Sequence, residues 1–136
     1  MKTLILFYSY TGKTKLLAEQ KAAELSADIE EVKTIKKPFV LRAYFVESLR
    51  AMRCKKSAIA PIKSNLDDYD TIIIMAPIWA GSPAPAVNSI IDLLPKGKEI
   101  ELLMVSASGT SGGATRNRTL IEARGCTVTT YINIKA

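Results

Sequence analysis

Short apolar runs alternate along this chain with stretches of helical spacing. The run Leu4-Ile5-Leu6-Phe7-Tyr8 predicts a strand over about Thr3–Tyr8, and the stretch behind it predicts a helix over about Gly12–Ser26. Asp28–Lys33 carries charges at alternate positions, which suits a strand on a sheet edge. Pro38 ends that connection, and Leu41, Tyr44, Phe45, Leu49 and Met52 then recur at helical spacing, so a second helix is expected over Val40–Arg53. Lys55–Asp68, broken by Pro61, reads as a loop. Thr71-Ile72-Ile73-Ile74-Met75-Ala76 is a continuous run led by β-branched residues, which suits a central parallel strand buried on both faces. Val87, Ile90, Ile91 and Leu94 mark a third helix, Glu99–Ser106 a fourth strand and Ala114–Ala123 a fourth helix. Thr127–Ile134 alternates, with Val128, Thr130, Ile132 and Ile134 expected on one side.

The order βαβαβαβαβ predicts an α/β fold, a three-layer doubly wound five-stranded parallel sheet, in a single domain over residues 1–136. In such sheets a ligand sits at the carboxyl ends of the strands, where the winding reverses. Three segments fall there: Ser9–Thr14, Pro77–Ser82 and Ser106–Gly113. No fifth helix follows the last strand, so only helix one is expected on one face of the sheet. A homodimer or another chain would close that face; loops over the gap are the alternative.

Composition narrows the chemistry. The chain has no histidine, which removes the commonest general base and metal ligand. Cys54 and Cys126 lie far apart, and no ligand cluster for zinc or iron is visible. Reactions would therefore fall to a bound cofactor. Free thiols, no signal-peptide pattern and no apolar run of membrane length lead to a cytoplasmic expectation. The net charge is +6, and Lys33 to Lys63 alone holds nine Lys/Arg against Glu47. That segment is either a solvated surface or a docking patch for an acidic redox partner or an anionic small electron acceptor. Neither nucleic acid nor a membrane is expected as a partner.

The first loop, Ser9-Tyr10-Thr11-Gly12-Lys13-Thr14, places hydroxyls and a glycine between a strand and a helix start, where unpaired N–H groups favour a phosphate. Gly12-Lys13-Thr14 lacks the earlier glycine of a Walker loop, since Phe7 stands there. No GxGxxG is present, the first loop has no phosphatase cysteine, and the third strand ends without a receiver aspartate. Trp79, the only tryptophan, lies in Pro77-Ile78-Trp79-Ala80-Gly81, where it serves as a platform for a planar ring or plugs the loop against helix three. Ser106-Ala107-Ser108-Gly109 either meets a polar ring edge or simply opens helix four. Cys54 lies among basic residues without a partner base.

Together these residues resemble the flavodoxin family. Ser9-x-Thr11-Gly12-x-Thr14 resembles its FMN-phosphate loop, Pro77-Ile78-Trp79-Ala80-Gly81 its second flavin loop, and Ser106–Gly113 stands where its third would be. Tyr44-Phe45-x-x-Ser48-Leu49-Arg50-Ala51 resembles short prokaryotic members. The resemblance implies non-covalent FMN. Ser9, Thr11, Gly12 and Thr14 would hold the phosphate, with the amides of Tyr10 and Lys13. Trp79 would stack on the ring, the Ala80-Gly81 peptide would approach flavin N5, and Ser106 to Gly109 the pyrimidine edge. An electron carrier is the favoured reading, an NAD(P)H-dependent quinone or flavin reductase the alternative, and a binding module without redox work the third. The third loop lacks a covering aromatic, the chain is basic where flavodoxins are acidic, and the last helix is missing.

Overall fold

The apolar runs become strands and the polar-faced stretches become helices: β1 (Thr3–Phe7), α1 (Lys13–Leu25), β2 (Asp28–Glu31), β3 (Thr71–Trp79), β4 (Ser82–Pro83), α2 (Pro85–Ile91), β5 (Glu99–Ser106), α3 (Ala114–Ala123) and β6 (Thr127–Lys135). The computed structural model describes residues 2–34, 59–79, 82–107, 109 and 114–135, with Trp79 and Ser82 in backbone only. The expected helix at Val40–Arg53, Cys54 and most of the basic Lys33 to Lys63 segment lie outside the described residues.

The main sheet runs β2-β1-β3-β5-β6, all parallel. The chain steps outward from β1 to β2, then crosses back to β3, so the winding reverses between β1 and β3. This is the expected doubly wound flavodoxin-like topology, with β2 on the edge as its charges predict. Alternate residues serve two layers. Leu4, Leu6, Ile72, Ile74, Ile100, Leu102 and Met104 face α2 and α3, where Val87, Ile90, Ile91 and Ile121 meet them. Ile5, Phe7, Ile73, Met75 and Leu103 face α1, which offers Ala18 and Ala22. Small residues on that helix stripe let it lie close to the sheet.

Past α1 the second face is bare at one strand and covered at another. Leu103 and Val105 of β5 are only 3% and 4% exposed, whereas Ile132 of β6, beside Leu103, is 45% exposed. The expected gap is thus confined to the outer strand among the described residues.

β6 departs from the expected alternation. Ile100 pairs with Val128, but Glu101 pairs with Thr130, so Thr129 is an extra residue at a β-bulge. The bulge shifts the parity. Val128 and Tyr131 pack with the α2–α3 layer, while Ile134 packs with the α1 layer. Val128 and Ile134 therefore do not share a side, because one inserted residue inverts every position after it.

The stretch read as a loop before β3 is partly tied down. The Glu30 carboxylate accepts the Lys63 and Ser64 amides at 2.7 and 2.8 Å and the Ser64 hydroxyl. Burial works to raise the Glu30 pKa, but the bonds from Ser64 and Lys63 and the Lys63 charge outweigh it and hold it below the ordinary value. Thr34 bridges Ile59, and Leu66–Asp68 forms a short 3-10 turn capped by Asn65. These ties fix how the chain enters β3.

Candidate functional site

Three strand ends set the site. Phe7 pairs with Met75, and Met75 with Leu103. The Tyr8 amide extends the first pairing by donating to the Met75 carbonyl at 2.9 Å. The chain therefore leaves β1 and β5 on either side of β3, at the same edge of the sheet.

After β1, the Ser9 Oγ accepts the Gly12 amide at 3.0 Å and closes a tight turn. Gly12 has φ +98°, a conformation that side chains resist. It is the N-cap of α1, and its carbonyl accepts the Leu16 amide at 3.1 Å. It has no side chain to cap the helix, so the first-turn amides of Lys13, Thr14 and Lys15 have no capping side chain from it. No acidic residue stands in that turn. Tyr10, Thr11, Gly12, Lys13 and Lys15 are exposed, and Thr14 is buried. A Cβ built on Gly12 would meet nothing within 4 Å. The result is an open, positively polarised helix end with two lysines beside it.

The segment after Ala76 is a hairpin rather than a loop. β3 runs on to Trp79, and β4 returns antiparallel, with Ile78 opposite Pro83 and Trp79 opposite Ser82. The Ala84 amide closes it onto the Pro77 carbonyl at 3.0 Å. Two prolines argue against a strand, yet β1 pairs with β3 only as far as Met75, so Pro77 lies where no β1 bond is needed. Trp79 ends β3, beyond the sheet edge; Ala80 and Gly81 lie outside the described residues.

After β5, the Ser106 Oγ accepts the Gly109 amide at 2.9 Å, and Gly109 has φ +76°. A Cβ on Gly109 would come within 3.1 Å of the Lys135 Cβ, so this turn is packed against the end of β6. Ala107 is exposed; Ser108 lies outside the described residues.

Sequence reasoning passed over Asn117. It is 3% exposed on α3, and its Nδ2 has no hydrogen-bond partner. The signal was present: Asn117 stands one helical turn before buried Ile121, a polar residue in an apolar stripe.

Among the described residues no group of side chains could hold a metal, and no helix is long and apolar enough to cross a membrane.

The family of NADPH-dependent FMN reductases matches residues 1–130. An uncharacterized protein of Archaeoglobus fulgidus is 25% identical over 100 residues, which is 74% of this chain and 62% of that protein. The chain thus spans less than two thirds of that relative's length. Among solved structures, a flavoprotein of Lactobacillus acidophilus in complex with FMN is 25% identical, with TM-score 0.66, over 96% of this chain and 91% of that one. The apo-form from the same organism is 22% identical with TM-score 0.75 over the same shares. Megasphaera elsdenii flavodoxin is 19% identical with TM-score 0.61, over 97% and 87% of the two chains, and shares the fold. With its match running from β1 through α3 and into β6, the chain belongs to the family of NADPH-dependent FMN reductases, built on the flavodoxin-like fold.

Proposed function

We propose that this chain binds FMN non-covalently and passes electrons from NADPH to a small acceptor, a quinone or free flavin. The observation that carries the cofactor is the uncapped start of α1. Gly12 offers no side-chain acceptor, and the space in front of it is open. A phosphate dianion supplies the acceptor that the helix end lacks. Backbone N–H groups of Tyr10, Thr11, Lys13 and Thr14 would take it, with hydroxyls from Ser9 and Thr11. The Gly12 amide is committed to Ser9, so Gly12 shapes the cradle rather than donating.

The rest of the edge fits a planar ring. β3 carries Trp79 past the end of its pairing with β1, between the two serine turns. Ser106, Ala107 and Gly109 would form the far wall. When bound, FMN supplies hydride acceptance and electron release; the protein grips, orients and shields it. With no histidine anywhere and no acid in the first turn of α1 or α3, no side chain of these turns is a general base.

The family match supports NADPH as donor. The flavodoxin-like architecture supports a second reading, an electron carrier between protein partners. Steady-state NADPH oxidation by FMN-loaded protein, with a quinone or free flavin as acceptor, separates the two. Turnover supports the reductase. Loaded protein that NADPH does not reduce, but that a protein donor does, supports the carrier. A purified protein that stays colourless in FMN, with unchanged Trp79 fluorescence, sinks both.

A further inference from the structure

Asn117 is a polar residue where the fold calls for an apolar one. It shares the buried stripe of α3 with Ile121, which packs into the layer containing Leu102 and Met104. Among the described residues its Nδ2 is the one buried side-chain nitrogen or oxygen without a partner. An unpaired buried donor costs about 1–3 kcal/mol, and an apolar side chain there would avoid that cost. Helical side chains lean toward the N-terminus of their helix, so the Asn117 amide lies over the first turn of α3, at the carboxyl edge of the sheet. That turn contains no acid, and its own amides lack intrahelical acceptors. The Asn117 Nδ2 and those amides are thus donors at the same end of α3.

The other unfilled donor end is at α1, across β3. β1 and β5 are two strand spacings apart, roughly 9–10 Å, and α1 and α3 lie on opposite faces of the sheet. A ligand held by a phosphate at α1 would have to cross over the sheet edge to bring its second polar end to α3. We propose that Asn117 is a cofactor-binding residue whose Nδ2 donates to a carbonyl oxygen on the polar edge of the flavin ring. The assignment rests on the FMN reading above. It explains why a destabilising amide is kept in the core: the bound ring satisfies it.

The test is FMN titration of FMN-depleted protein, followed by flavin fluorescence, for the wild type, Asn117→Leu and Asn117→Asp. Leucine keeps the branching at Cγ and removes the donor; aspartate keeps the shape and replaces the donor with an acceptor. Both variants should weaken FMN binding about fivefold or more, while the apo form of Asn117→Leu melts at or above the wild-type temperature. FMN affinity within about twofold of wild type in either folded variant overturns the proposal. A second measurement needs no variant. The Asn117 side-chain amide protons of the wild type should move downfield in the NMR spectrum on adding FMN, and no movement at saturation overturns the proposal. Failure of the wild type to bind FMN at all is a different result and sinks the cofactor reading instead.

Discussion

After β1 the chain reads Ser9-Tyr10-Thr11-Gly12, and after β5 it reads Ser106-Ala107-Ser108-Gly109. In both, the serine Oγ accepts the amide of a glycine three residues on, at 3.0 and 2.9 Å. In both, that glycine has positive φ, +98° and +76°. The two turns differ in what lies around the glycine. A Cβ at Gly12 would enter open space, while one at Gly109 would crowd Lys135 at 3.1 Å. Gly12 also opens directly into a helix, whereas Gly109 is separated from α3 by intervening chain. One local fold thus yields a mouth when a helix end backs it and a wall when a strand end backs it. The serine and glycine set the turn; the neighbour sets the use.

The largest expected effect comes from filling the glycines. Gly12→Val should weaken FMN binding about 100-fold, roughly 3 kcal/mol, because a branched side chain would occupy the anion's space and strain the backbone. Gly109→Val should instead lower apo stability by about 2–4 kcal/mol through strain and crowding, with FMN affinity changed less than about tenfold. Urea unfolding beside FMN titration reads both, and equal affinity losses would abolish the distinction between mouth and wall. Next come the serines. Ser9→Ala and Ser106→Ala each leave a glycine amide without its acceptor and should each cost about 1 kcal/mol of stability; only Ser9→Ala should also weaken FMN several-fold, in the same titration. A smaller effect is expected from charge. Lys13→Gln should weaken FMN about two- to fivefold at low salt and hardly at all in 0.5 M salt. Lys135→Gln keeps the Cβ that packs on Gly109 and should leave FMN affinity unchanged.

The smallest effect is with pH. The second ionisation of a phosphate monoester lies near pH 6, so FMN affinity should decline gently below about pH 6 while riboflavin affinity stays flat. Stability responds elsewhere. The Glu30 pKa is depressed by folding, so its tie to Lys63 and Ser64 contributes fully above the ordinary value of 4.5 and is lost as pH falls through the lowered one. Glu30→Gln should be less stable than wild type above about pH 4.5, with the difference shrinking only as pH falls through that window, as acid unfolding of the two would show; the two turns, which hold no carboxylate, should contribute nothing to it.

The sheet was legible because its strands are buried on both faces: Leu4–Phe7 and Ile72–Ala76 admit no polar residue, so periodicity was not needed to find them. α3 was legible to the residue, Ala114–Ala123. The hairpin was hidden by Pro77 and Pro83, since the rule that proline interrupts a strand assumes a neighbour needing its N–H. The likeness of the two serine turns was present in the spacing, yet a turn's setting depends on residues far along the chain, such as Lys135 against Gly109. Asn117 stood out only once its surroundings were known, because an exposed asparagine in a helix carries no message.

The bulge at Thr129 has a wider consequence. It works as a parity switch: the residues before it and after it obey opposite rules about which face is interior. A single-residue deletion in this strand would therefore be read by the fold as a swap of its whole second half, carrying Ile134 and Tyr131 to each other's layer. Point changes in β6 are local events; insertions and deletions there are global ones, and relatives of different length should place their gaps at this bulge or lose the strand.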